Sequence, residues 1–303
     1  MRYPSSAFCP ADCQLLRMWD TQTRRMDKGI LINQLRTVQT SSAKKESLFM
    51  KEYFISKANC KLRYHDFPGK GVPILFIHGL GCAGSFDYPQ VAAQKALQGR
   101  HCVLIDLLGA GFSDKPEDFG YTVNEHAEYL AEFVVAMGFE SFVLYGHSLG
   151  GAVALSLADK CRERVLKIVL SEANLDKSGE GSTSKYIADF EMHEFVNNGF
   201  FRLLQESKAN GNEMWAASLS VWSPKAAYLI SKSAANGEKP SWRDILYSLE
   251  CPRTFIFGEN SLPDPDVKVL AEHGVNVEIV KQAGHSMAWE NPQGLAEVIE
   301  NSI

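Results

Sequence analysis

Three things this 303-residue sequence lacks narrow what it can be. It has no long uninterrupted apolar run, so no segment is expected to cross a bilayer as a helix. Nor does its N-terminus show the charged-then-apolar pattern of a secretory signal. It has little excess charge of either sign: 31 Lys and Arg stand against 36 Asp and Glu, a formal net charge of −5. That balance gives no electrostatic reason to expect nucleic acid or an anionic membrane as a partner. Paired cysteines are missing as well. Of the seven cysteines only Cys9 and Cys13 fall close together, and no histidine accompanies them. Neither a disulfide framework nor a zinc site is expected, and reduced thiols in a cytoplasmic protein are the simplest reading.

What is present is enough apolar sequence, 45% of residues, for one large core with a smaller layer added. Residues 1–49 stand apart, because basic residues there outnumber acidic ones while the rest of the chain is acidic. They are expected to form an N-terminal extension, with translation beginning at Met50, just before the first strand pattern. The acidic residues among them argue against an organelle-targeting segment.

From Met50 the pattern alternates. Strands are predicted at 51–56, 60–66, 73–77, 102–106, 141–145, 166–170, 253–257 and 276–280. A helix is predicted over 122–137, with Thr122 as N-cap and Glu125 three positions on, and another after residue 150. Two adjoining strands followed by strand–helix alternation imply an α/β fold, a mostly parallel sheet covered by helices on both faces. The alternation lapses once, between residues 170 and 253. Helix-forming stretches at 189–206 and 212–233 occupy that gap with Phe190, Phe195, Phe200, Phe201, Trp215, Trp222 and Tyr228. Residues 174–250 are therefore expected to be a helical cap on a core made of 50–173 and 251–303. Most of its aromatics should pack within it, and some should face the sheet to enclose an apolar pocket.

One stretch carries chemistry. Gly146-His147-Ser148-Leu149-Gly150 lies between the strand at 141–145 and a helical run. A strand turning into a helix through Gly-x-Ser-x-Gly lifts the serine hydroxyl above the sheet, and the glycines make room for the tight turn. A serine hydroxyl is a weak nucleophile without a base to take its proton. His285, in a Gly284-containing loop after the last strand, is the candidate base.

With His78-Gly79-Leu80-Gly81, the Asp106 to Ser113 segment and Ala283-Gly284-His285 in order at strand ends, the chain from Met50 onward resembles the α/β-hydrolase superfamily. The resemblance implies an eight-stranded sheet, a cap between strands 6 and 7, and a Ser–acid–His triad. Many members carry the acid after strand 7, where this sequence has Ser261. Some, notably many haloalkane dehalogenases, carry it after strand 6, where this sequence has Glu172. Glu172 is thus the expected acid, with Asp264, then Glu259 or Asp266, as alternatives. The backbone N–H groups of Leu80 and Leu149 are expected to form an oxyanion hole. Asp106 is expected to tie its loop together, His78 to brace the loop after strand 3, and His147 to point away from the serine.

The expected activity is a serine hydrolase, an esterase acting on carboxylic esters of small to medium apolar molecules, requiring no cofactor or metal. Dehalogenation needs a carboxylate nucleophile where Ser148 stands. Hydrolysis of a carbon–carbon, lactone or amide bond uses the same triad, and a non-catalytic small-molecule receptor of the same fold is the alternative outside the enzymes.

Overall fold

The computed structural model describes residues 50–303; the expected N-terminal extension and the start at Met50 concern residues 1–49, which lie outside these. Eight strands form one sheet in the order β1-β2-β4-β3-β5-β6-β7-β8. They are β1 (Lys51–Ile55), β2 (Cys60–Phe67), β3 (Lys70–Ile77), β4 (Arg100–Asp106), β5 (Phe142–His147), β6 (Val165–Ser171), β7 (Arg253–Gly258) and β8 (Asn276–Val280). β1 and β2 pair antiparallel, β2 joins β4 antiparallel, and every later pairing is parallel.

The period of two along each strand builds two cores. Leu75, Ile77, Val103, Ile105 and Leu144 face one side, packed beneath helices Val123–Ala136 and Leu149–Lys160. Ile74, Phe76, Leu104, Val143 and Tyr145 face the other, against Leu295, Ala296 and Ile299 of helix Pro292–Ser302. Sheet strands buried on both faces explain the nearly continuous apolar runs of β3 to β7. Helix Val123–Ala136 starts as its sequence predicts: Thr122 Oγ1 accepts from the Glu125 N–H, and the Glu125 carboxylate accepts from the Thr122 N–H.

Strand edges differ from the expectation in one instructive place. β3 begins at Lys70 rather than residue 73, with its register to β4 shifted between Lys70 and Ile74. Pro73 lies in that interval, and a proline has no N–H to give to a ladder.

Between β6 and β7 the chain forms helices Thr183–Ala188, Phe200–Ala209, Glu213–Leu219, Pro224–Asn236 and Trp242–Ser248. The single helix expected over 212–233 is two. Leu219 ends the first, and Ser223 caps the second by accepting from the Ala226 N–H ahead of Pro224 at its first turn. Proline fits the first turn, where its missing N–H is no loss, and disrupts the interior. A π-helical turn at Phe195–Gly199 likewise interrupts the helix expected over 189–206. Phe195, Phe200, Trp222 and Tyr228 are buried in this inserted layer and join the core over the helix-rich face, with Phe190 and Trp215 packed against it. Phe201 points to solvent at 62% exposure.

Candidate active site

Ser148 sits where β5 ends and helix Leu149–Lys160 begins, at φ 52° and ψ −126°. A positive φ at a residue bearing a Cβ costs about 1–3 kcal/mol and persists only where its surroundings enforce it. They do so here: the Ser148 N–H donates to the Ser171 carbonyl at 2.9 Å, and its carbonyl accepts from the Asn174 N–H at 3.0 Å. Gly150 is required by close approach, because a Cβ there would lie 2.2 Å from the His78 carbonyl oxygen.

Glu172 and His285, 113 residues apart, meet at the same end of the sheet. The His285 Nδ1–H donates to Glu172 Oε2 at 2.6 Å, and the Gly258 N–H donates to Glu172 Oε1 at 2.9 Å. Burial alone would push the Glu172 carboxyl up. Hydrogen bonds from His285, the Ser261 hydroxyl and the Gly258 N–H outweigh burial and hold it at about 2, so the group is ionised at neutral pH. Ser261, at the position where many superfamily members carry an acid, donates to the Glu172 carboxylate instead. The Glu172 side chain is 12% exposed and that of His285 54%, so the imidazole stands at the mouth of a cleft.

The alternative acids are engaged elsewhere. Asp264 accepts from the Asp266 N–H, Asp266 pairs with Arg243, and Glu259 bonds Lys281 and the Gln282 N–H. Asp106 gathers its loop by accepting from the Ser85 N–H and hydroxyl and from the Phe112 N–H. His78 Nδ1 donates to the Gly79 carbonyl and Nε2 accepts from the Leu107 N–H, clasping two loops in a neutral tautomer.

The two amides expected to hold an oxyanion flank Ser148 in different ways. Leu149 opens its helix, so its N–H has no acceptor within that helix. Leu80 lines the cleft with Ser148 and His285, and among the described residues its N–H donates to no other group. The Leu80 carbonyl is held from the inserted layer by the Trp215 indole N–H at 2.8 Å, and that of Cys82 by the Trp222 indole N–H at 2.7 Å. Gly81, at φ 74°, leaves the space Trp215 needs: a Cβ would fall 2.4 Å from Nε1. The sequence held no signal for this contact beyond the Gly-Leu-Gly spacing.

His147 was expected to point away from Ser148. Its Nδ1 lies against the Ser171 carbonyl and hydroxyl, and its ring sits 4.7 Å from that of His285. Burial, with the neighbouring His285 adding to it, depresses His147 to about 3, so it is a neutral support for the exposed imidazole. Beneath it a small cavity is bounded by Cys82, Asp87, Tyr145, His147 and Trp289. Burial pushes the Asp87 carboxyl from an ordinary 3.8 to about 8, with the Cys82 thiol and the Ala83 N–H offsetting part of the rise. The folded protein therefore holds a proton that the unfolded chain has released between about pH 4 and pH 8, and stability falls as pH rises through that window. Asp87→Asn is expected to raise the thermal midpoint at pH 7.5 and to leave it nearly unchanged at pH 4. Calorimetric scans at the two values check this; equal shifts at both would contradict it.

The aromatics of the insert do not enclose the cleft. Of the seven, only Trp215 lines it; its other walls include Asn174, Ser182, Thr183, Ser184, Ser207, Asn212 and Ser286. The cleft measures about 480 Å³ and opens beside a second hollow of about 510 Å³. The expected apolar pocket is a mixed one, because most of the large rings are packed into the core of the inserted layer. No group of His, Cys, Asp and Glu able to hold a metal ion occurs among the described residues. No helix there is long and apolar enough to cross a membrane.

Comparison with known proteins agrees with this architecture. Haloalkane dehalogenase 2 of Mycobacterium tuberculosis is 37% identical over 111 residues, 36% of this chain and 37% of that protein. The 2-hydroxymuconate semialdehyde hydrolase of Pseudomonas putida is 34% identical over 116 residues, 38% of this chain and 41% of that protein. The chain thus spans about two fifths of the length of these curated relatives. A solved thermophilic esterase from Thermogutta terrifontis superposes with a TM-score of 0.68, at 20% identity, over 84% of this chain and 97% of that one. The alpha/beta hydrolase fold family matches residues 72–292. With most of its length matched and its strands in this order, the chain belongs to the alpha/beta hydrolase fold family.

Proposed function

We propose that this protein is a serine hydrolase that cleaves carboxylic esters through an acyl-enzyme intermediate. The observation that carries the reading is the 2.6 Å contact of His285 Nδ1 with an ionised Glu172, in a cleft that Ser148 also lines. With Nδ1–H committed to Glu172, Nε2 is the nitrogen left to accept the Ser148 proton. Ser148 Oγ attacks the acyl carbon, and the Leu80 and Leu149 N–H groups stabilise the oxyanion. The imidazolium, balanced by Glu172, returns its proton to the departing alcohol. A water then gives a proton to His285 Nε2 and attacks the acyl-enzyme, releasing the acid and the Ser148 hydroxyl.

Dehalogenation does not suit the chain. That chemistry passes through a carboxylate nucleophile, and the position holds Ser148. A second reading, hydrolysis of a carbon–carbon bond by the same residues, is favoured by the similarity to the semialdehyde hydrolase. A fluorophosphonate probe tests the shared premise. It is expected to label the folded protein at Ser148, read by peptide mapping, and to leave the heat-unfolded protein unlabelled. Folded protein that resists the probe is a binding module. Labelled protein that cleaves a β-diketone faster than any simple ester is a carbon–carbon hydrolase.

A further inference from the structure

Resting on the ester-hydrolase reading, we propose that the substrate of this cleft carries neutral hydrogen-bonding groups, hydroxyl or amide, beyond the bond that is cut. Outside Leu80, Ser148, Glu172 and His285, the lining contains one aliphatic side chain, Leu203, one aromatic, Trp215, and no charged side chain. The rest is hydroxyl, amide or glycine. A small-molecule pocket is ordinarily dominated by apolar walls with a few polar groups, and here polar and apolar surface are nearly balanced.

Several of these polar groups are not consumed by the fold, although Ser207 donates to the Leu203 carbonyl. Asn212 and Ser286 both stand at the N-cap of a helix, where such side chains ordinarily accept from the first turn, yet neither makes that bond. Among the described residues the side chains of Thr183, Ser184, Asn212 and Ser286 have no hydrogen-bond partner. Asn174 spends its amide N–H on the Ser178 hydroxyl and keeps its carbonyl oxygen free. Ser182 shows the contrast, since it caps its helix through the Lys185 N–H and donates to the Gly179 carbonyl.

An alkyl chain laid along such a wall strips water from groups it cannot satisfy, while an amide or hydroxyl replaces that water. Sites built to bond a substrate hydroxyl or N–H discriminate strongly against analogues without one, by as much as about ten-thousand-fold. Apart from Glu172 and His285, no charged side chain lines the cleft, which favours neutral partners over ionic ones. The groove continues past Thr183, Ser207 and Asn212 into a neighbouring hollow whose walls add the charged Glu180, Lys185, Asp189 and Glu206, so the neutral groups are expected within the cleft itself.

Two isosteric pairs test the proposal, one for each side of the ester. Hexanoate and N-acetyl-β-alaninate p-nitrophenyl esters have acyl chains of equal length. Hexyl and 2-(2-hydroxyethoxy)ethyl butyrates do the same for the alcohol. With each rate divided by its hydroxide-catalysed rate, the polar member of at least one pair is expected to show about tenfold higher kcat/KM. Asn212→Leu and Thr183→Val, made separately, are expected to reduce that ratio to within about twofold of unity; the ratio, rather than the rate, is the readout. Preference for the alkyl member in both pairs overturns the proposal, and so does a ratio that both variants leave intact. Hydrolysis of p-nitrophenyl acetate that survives Ser148→Ala overturns instead the reading on which it rests.

Discussion

Ser148→Ala is expected to lower kcat toward the best ester by about a million-fold, close to the loss seen when a triad nucleophile is removed. The size follows from the mechanism. Without Oγ there is no acyl-enzyme, and what remains is water attack on a carbonyl polarised by two amides. Those amides belong to the backbone of Leu80 and Leu149 and survive the substitution. Removing a β-hydroxyl without adding bulk keeps the φ of 52° that the turn imposes. The variant should therefore fold, bind ester and retain residual catalysis above the uncatalysed rate. Single-turnover rates with purified protein measure the loss; a fall of less than about a hundredfold would mean that another group is the nucleophile.

Glu172→Gln is expected to lower kcat by about ten-thousand-fold while changing KM little, as when a triad aspartate becomes its amide. A glutamine oxygen can still accept from His285 Nδ1–H, so the imidazole keeps a place to dock. What is lost is the charge that balances the imidazolium. The amide can also turn its NH2 toward Nδ1, which stabilises the wrong tautomer. Two of the bonds holding the carboxyl at about 2 come from Ser261 and Gly258, outside the reacting pair, so the anion is maintained independently of substrate. Asp264→Asn serves as the comparison, because among the described residues the Asp264 carboxylate bonds only the nearby Asp266 N–H. It is expected to leave kcat within about twofold. Steady-state kinetics on both variants decide the matter, and the assignment fails if the larger loss falls on Asp264→Asn.

How much of this was legible in the sequence depended on the range of the forces involved. The strands from β4 onward and the capping box at Thr122 and Glu125 follow from periodicity and local hydrogen bonds, which a window of residues contains. The turn at Ser148 is legible from its Gly-x-Ser-x-Gly pattern between strand and helix, although Gly150 answers to His78 and Ile77 at the end of a strand distant in sequence. The choice of Glu172 over Asp264 needed more, namely Ser261 where an acid was expected, and a family resemblance to interpret it. The cleft walls lay beyond reach. Trp215 and Phe195 are both large aromatics at helical spacing in one segment. Only the packing of the inserted helices decides that the first meets the cleft and the second fills a core. The helix Thr183–Ala188, which supplies part of the polar wall, has no strong periodicity and was not expected at all.

The two indole bonds to the Leu80 and Cys82 carbonyls make the inserted layer part of the floor on which an oxyanion would rest, rather than a hinged cover above it. Swinging that layer aside would strip both carbonyls of their donors and disturb the loop that carries the Leu80 N–H. Entry and departure of reactants then run past the exposed face of His285, and turnover should show little sensitivity to solvent viscosity below the encounter limit.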